Sequence, residues 1–160
     1  MNPTRNDLSS ATRGKVTELL QARLVDAIDL KLRIKNSHWN VKGPSFIALH
    51  ELFDKVAADV EGYADDLAER AVQLGATAEG HAAVVAKTSS LPAASRKLVS
   101  ESDFVTEVAD NLAAFGKTVR AAIEEAGEFG DADSADLFTG ISRGVDKWVW
   151  FVESHLNGKR

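Results

Sequence analysis

The chain has 160 residues, 44% of them hydrophobic, a formal net charge of -5 and no cysteine. That length fits one domain whose core can fold without disulfides or a structural zinc, and the missing cysteine excludes thiolate metal sites and cysteine nucleophiles, leaving His, Asp and Glu as transition-metal ligands. The negative balance excludes a generally basic nucleic-acid surface; Met1 to Lys15 holds no apolar leader and no stretch approaches the roughly 20 apolar residues of a membrane span, so a cytoplasmic protein with no membrane partner is expected.

Prolines stand only at Pro3, Pro44 and Pro92, so the segments between them are free to run as helix. From about Thr12 to His38, Val16, Leu20, Leu24, Ile28 and Leu32 recur every fourth position, with Leu19, Val25 and Ile34 widening the stripe, which predicts one long helix. Asn40 to Gly43 is a turn. Pro44-Ser45 then opens a second helix to about Leu74, where Gly75 is a C-terminal stop. Residues 76–99, rich in Ala, Ser and Thr, form a long crossover with a short helix in Ala82 to Ala86. A third helix, capped at Ser102 or Asp103, carries Phe104, Val108, Leu112, Phe115, Val119 and Ile123 to a stop at Gly127. Asp131, Asp133 and Asp136 open a fourth, with Leu137, Ile141, Val145, Trp148, Val152 and Leu156 on its apolar face. The predicted fold is all-α: a ferritin-like four-helix bundle with the crossover between helices 2 and 3. It forms one domain over residues 1–160, with a short flexible tail at 1–11 and another at 157–160.

The chemistry concentrates around the first turn. His38 and His50 flank it, His50 and Asp54 share a face of the second helix, and Asp65 and Glu69 repeat that four-residue spacing further along. At about 100° per residue, Asp65 and Glu69 fall about 60° and 100° around from His50, which makes one polar stripe. Fifteen residues nevertheless separate His50 from Asp65, about 22 Å along a straight helix, too far for a single metal centre. Two copies of this helix, antiparallel about a two-fold axis near Asp59 and Val60, would bring His50 and Asp54 of one to Asp65 and Glu69 of the other, giving two identical sites. Imidazole and carboxylate ligands of this kind suit Fe(II), Mn(II) or Zn(II) and admit an oxidant. The Glu-x-x-His motifs of an intrachain di-iron bundle do not occur. Either acidic pair alone most often marks a solvated helix face; the conjunction with both histidines is far more specific.

The run His38-Trp39-Asn40-Val41-x-Gly43-x-x-Phe46-x-x-x-His50-Glu51, then Asp65-x-x-Ala68-Glu69-Arg70-Ala71-Val72-Gln73-Leu74-Gly75, resembles the two ferroxidase signatures of the Dps mini-ferritins, DNA-binding proteins from starved cells. The resemblance extends to Ser142-Arg143 and Trp150-Phe151-Val152-Glu153-Ser154 and covers nearly the whole chain. It implies a homododecameric shell that stores ferric mineral and oxidises Fe(II) to Fe(III), with hydrogen peroxide in preference to dioxygen, at two-iron centres on dimer interfaces. The implied catalytic ligands are His38 and His50 from one subunit and Asp65 and Glu69 from its partner, with Asp54 a further metal ligand at a second iron. Trp39 resembles the family tryptophan that intercepts oxidising equivalents, although packing is the commoner role for a Trp at a hairpin. The acidic run from Asp131 to Asp136 resembles the segment lining iron-entry pores, with Asp133 the best single candidate.

DNA is the partner on which this chain departs from the best-known pattern, a long lysine-rich tail. Arg5, Arg13 and Lys15 stand against Asp7, and the other end offers Lys159 and Arg160. Twelve copies multiply the -5, so DNA binding, if present, needs tails that project clear of the shell, and it is then sequence-independent and salt-sensitive. The implied location is the cytoplasm, with nucleoid association following only from DNA binding. The rival reading is a DNA-condensing architectural protein with iron chemistry secondary; a third is a helical interaction module with an empty acidic stripe. His81 and His155 lack ligand-spaced partners and are expected on the surface. Trp148 and Trp150 cannot share a helix face, so one packs and the other faces a neighbour or a cavity.

Overall fold

Ser9 starts the first helix by accepting the Thr12 backbone N–H on its side chain, and from there the described residues fold through five helices. A computed structural model describes residues 1–93 and 97–156: α1 spans Ser10–Asn40, α2 Phe46–Gln73, α3 Ala82–Thr88, α4 Glu101–Glu128 and α5 Ala132–Glu153. No strand occurs among the described residues. The fold is all-α and ferritin-like, as expected.

α1 packs mainly on α2 and α4 on α5, while α1 also meets α4 and α2 meets α5, so the four long helices close a square. Hydrogen bonds trace the crossover along α1: Gln21 bonds Glu79, Asp26 bonds Ser90, and Arg33 bonds the carbonyl of Pro92. The crossover thereby spans the bundle and returns α4 to the end where α2 begins, antiparallel to α1. Asp26, fully buried, is the anchor: both Arg23 and the Ser90 N–H and Oγ–H donate to it.

The core holds Leu20, Leu30, Phe53, Leu67, Phe115 and Phe138. Three expectations shift here. On α1 a repeat of four residues rotates about 40° per step, so by Leu32 the predicted stripe has turned about 160° from Val16. Leu32 is 53% exposed, and Leu30 and Ile34 take its place inside. The α4 cap is Ser100 rather than Ser102 or Asp103: Ser100 Oγ accepts the Asp103 N–H and Asp103 accepts the Ser100 N–H, a reciprocal capping box. α4 also runs through Gly127, and the left-handed residue is Gly130 (φ +83°).

The opening residues lie against the body. Asn2 N–H donates to Gly75 O (2.6 Å), Thr4 Oγ1 to Gln73 O (3.4 Å), and Arg13 to the carbonyls of both Leu8 and Leu74. Arg13, counted from the sequence among the tail cations, is therefore engaged with the helix end. Residues 157–160, with Lys159 and Arg160, lie outside the described residues.

Candidate metal centre

α1 ends at Asn40 because Val41 turns extended and caps it with a bond to Ser37 O. Gly43 then takes φ +140°, a conformation costly for any other residue, and sends the chain back into α2. Ser45, the first cap of α2, makes no side-chain cap bond; its backbone N–H is taken by Glu101 Oε2 from the start of α4 (2.8 Å). A Cβ on Gly43 would lie 2.4 Å from that same oxygen, so the turn is shaped around Glu101.

This turn sets the two imidazoles face to face, ring centroids 3.7 Å apart and planes 21° apart. Each Nδ1 bonds the other residue's backbone carbonyl, His38 Nδ1 to His50 O at 2.7 Å and His50 Nδ1 to His38 O at 2.9 Å. A carbonyl can only accept, so each Nδ1 carries the hydrogen and each Nε2 presents a lone pair. Ring orientation and tautomer are thus fixed by a second partner, as in metal-ligating histidines. His38 is only 8% exposed, which protects the arrangement from competing water.

One turn along α2 from His50, exposed Asp54 accepts Lys35 Nζ from α1 at 2.6 Å. That hydrogen bond holds its carboxyl below the ordinary carboxylate range against a smaller opposing effect of desolvation, with the Lys35 charge and the two histidines adding to the lowering. The structure therefore brings His38 and His50 together, with Asp54 one turn along α2 from His50 and paired with Lys35. It leaves Asp65 and Glu69 exposed near the other end of α2, and among the described residues no three His, Asp or Glu side chains meet as a metal-binding group.

At that other end, Arg70 donates to Ser134 Oγ (3.0 Å) and to both oxygens of Asp131 (2.9 and 3.1 Å), while Asp131 also caps α5 by accepting the Ser134 N–H. Desolvation is the largest single influence on Asp131 and acts to raise it, yet the bonds from Ser134 and Arg70 together hold it below the usual range. Asp131 is thereby consumed in joining α2 to α5. Asp133 points outward, its side chain 85% exposed.

Midway along α2, Tyr63 lies over Gly144 so closely that a Cβ there would be 2.0 Å from the phenol oxygen, and Asp59 accepts Trp148 Nε1–H at 2.9 Å. Trp148 is buried and Trp150 is 62% exposed, as the two-residue spacing predicts. Trp39 is 66% exposed, so it does not pack inside the bundle, and Lys35 Nζ stands 6.0 Å over its ring. His81 and His155 are exposed. Sequence reasoning missed Lys35, Glu101 and the Arg70–Asp131 bridge. Lys35 alone had a signal, since it lies three residues before His38 and so on its face of α1.

The ferritin-like domain family matches residues 17–160. The DNA protection during starvation protein of Agrobacterium fabrum is 39% identical over 156 residues, 98% of this chain and 96% of its own. That of Mycolicibacterium smegmatis is 35% identical over 158 residues, 93% of this chain and 81% of its own. Among solved structures, Mycobacterium smegmatis Dps in its tetragonal form superposes with a TM-score of 0.92 at 31% identity, over 99% of this chain and 96% of that one. On the fold, the histidine pair and these likenesses together, the chain belongs to the Dps family of ferritin-like proteins.

Proposed function

We propose that the protein is a ferroxidase and iron store: it oxidises Fe(II), preferably with hydrogen peroxide, at centres shared between two subunits, holds the ferric product inside a dodecameric shell, and so protects DNA. The observation that carries the reading is the histidine pair, locked by reciprocal backbone bonds with both Nε2 atoms left as ligands, and supplied by its own chain with no more than Asp54. Asp65 and Glu69 sit about 22 and 28 Å from His50 along the same helix, where antiparallel pairing of α2 would present them to a second copy. In that centre His38, His50, Asp65 and Glu69 hold the substrate iron, with Asp54 at the second metal position.

The chemistry balances without further reactants: two Fe(II) ions give up one electron each, and the O–O bond of hydrogen peroxide breaks to two water molecules on uptake of two protons. Fixed ligands and a vacant coordination position for the peroxide are what the protein contributes.

DNA condensation, the alternative reading, draws support from the relatives' name, DNA protection during starvation protein. The docking of residues 2–8 on the α2 terminus weighs against a projecting, DNA-clamping tail. No helix among the described residues is long and apolar enough to cross a membrane; a cytoplasmic location belongs to the same proposal, with nucleoid association following only from DNA binding.

The test is anaerobic Fe(II) oxidation by stoichiometric hydrogen peroxide in the parent and in an Asp65→Ala, Glu69→Ala variant, with particle mass followed by light scattering. Fast oxidation lost in a still-assembled variant is expected. Equal slow rates in both would transfer the assignment to DNA condensation, which a gel shift at low and moderate salt then measures.

A further inference from the structure

A groove of about 420 Å³ runs between the start of α2 and the end of α5, a size within the range of small-molecule sites. One side is aromatic, built by Trp148, Trp150 and Phe151: the Phe151 ring meets Trp148 at 5.5 Å and 86° and Trp150 at 4.8 Å and 73°. From α2 come Ala48 and Leu52. Glu51, Lys55 and His155 also line it, and none of these three has a hydrogen-bond or ion-pair partner among the described residues. The groove thus offers apolar faces to a flat ring, with one spare acceptor and two spare donors beside them. Trp148 also leads away from it: the indole N–H donates to Asp59 Oδ2 at 2.9 Å, in the middle of α2. Asp59 stands about 13.5 Å along the helix from His50 and about 9 Å from Asp65.

Resting on the ferroxidase and storage reading above, we infer that this groove binds a reduced flavin and is the port through which electrons enter to release stored iron. The flavin ring is planar and apolar on its faces, which suits a lining of Trp148, Trp150 and Phe151. One edge carries an imide N–H between two carbonyls, complementary to the Glu51 carboxylate and to donors on Lys55 and His155. The reduced ring is an anion at neutral pH, and flavin mononucleotide adds a phosphate. Lys55 and His155 line the groove against Glu51 alone, and Lys147 stands beside them with its Nζ 4.4 Å over the Trp148 ring, although the chain as a whole carries -5. Ala48, Leu52 and Lys55 lie about 140° to 200° around α2 from His50, outside the arc of about 100° that carries the metal ligands, so the proposed pairing uses a different face.

A store filled by oxidation is emptied by reduction. The anionic reduced flavin gives up two electrons and the proton of its ring N–H and becomes oxidised flavin; two Fe(III) ions take one electron each and become Fe(II). Trp148 is the bridge these electrons cross, and it is neither oxidised nor reduced itself. It forms a wall of the groove, and its hydrogen bond to Asp59 joins it to α2 between His50 and Asp65, which on the proposed pairing belong to different centres. Trp148 is therefore a positioning residue for electron entry, whereas Trp150, 62% exposed, is a binding residue.

Binding is measured on the iron-free assembled protein by quenching of the fluorescence of oxidised flavin mononucleotide, which has the same ring system and phosphate. The parent is expected to quench saturably, Trp150→Ala to bind about tenfold more weakly for loss of a stacked ring, and Lys55→Glu to bind more weakly than Lys55→Ala. Release is measured anaerobically on mineral-loaded protein with photochemically reduced flavin mononucleotide and a chelator that colours with Fe(II). In the parent the rate saturates with flavin. In Trp150→Ala the half-saturating concentration rises about tenfold, whereas in Trp148→Phe the maximal rate falls and the half-saturating concentration holds. Absence of saturable quenching, parent-like binding by Trp150→Ala, release that rises linearly with flavin in the parent, or an unchanged maximal rate in Trp148→Phe overturns the inference. Because quenching is read without iron, a parent that stores no mineral defeats the underlying reading and leaves the groove to be judged on binding alone.

Discussion

Glu101, the first residue of α4, accepts the backbone N–H of Ser45 from across the bundle and thereby stands in for the missing side-chain cap of α2. The contact reaches the site indirectly, because the turn it shapes sets the register of His38 against His50. Glu101→Gln retains an acceptor and is expected to cost less than Glu101→Ala, for which a lost charged cap costs about 1–2 kcal/mol. Gly43→Ala meets both the positive φ and Glu101 Oε2, and should cost at least as much. Thermal denaturation ranks the three variants; a Gly43→Ala protein as stable as the parent contradicts the geometry.

Asp131 ties stability to acid. Its folded carboxyl titrates below the ordinary value, so its contribution is complete above the unfolded pKa of about 3.9 and is lost as pH falls through the lower folded value. Asp131→Asn is therefore expected to lower the melting temperature at pH 5 to 7, with the gap closing as pH falls below about 3.9 and through the lower folded value. At neutral pH the loss of charge-assisted bonds from Arg70 should amount to about 1–3 kcal/mol. A gap that widens on acidification runs against this assignment.

Tyr63 is the chain's one tyrosine, so tyrosinate absorption reports it alone. Burial raises its pKa above the ordinary 10.0, the Asp59 charge raises it further, and a bond from Trp148 opposes both. Absorbance titration should place the transition above pH 10 in the parent and lower in Asp59→Asn, though still raised by burial.

Gly144 gives the packing counterpart. Gly144→Ala must drive Tyr63 aside, at about 1–3 kcal/mol, and Tyr63→Phe should recover part of that by removing the nearest atom while leaving the ring carbon at 2.9 Å. A double-mutant cycle with no coupling between the two positions excludes the clash.

Much of this was legible in the residues, for identifiable reasons. Helix existence followed from long apolar periodicity without proline, and that Trp148 and Trp150 face apart followed from rotation alone. The errors were of two kinds. Reading α1 as a strict four-residue repeat carried Leu32 into the core, although the α-helix rotates such a repeat off its face; placing the α4 cap at Ser102 or Asp103 missed that Asp103 is the N3 residue of a capping box opened by Ser100. The histidine pair was legible as a spacing across a turn, but its stacking and tautomer depend on Gly43 and on Glu101, some fifty residues away, which no local pattern connects. Lys35 lay on the same helix face as His38 and was passed over because a lysine is not a ligand.

The distance between His50 and Asp65 along one rigid helix has a genetic corollary. On the proposed antiparallel pairing, a chain lacking the histidines and a chain lacking Asp65 and Glu69 are each inert alone, yet a mixed dimer contains one doubly damaged centre and one intact centre. Two dead proteins unfolded together and reassembled in equal amounts should therefore complement each other, recovering about a quarter of the parental sites under random pairing.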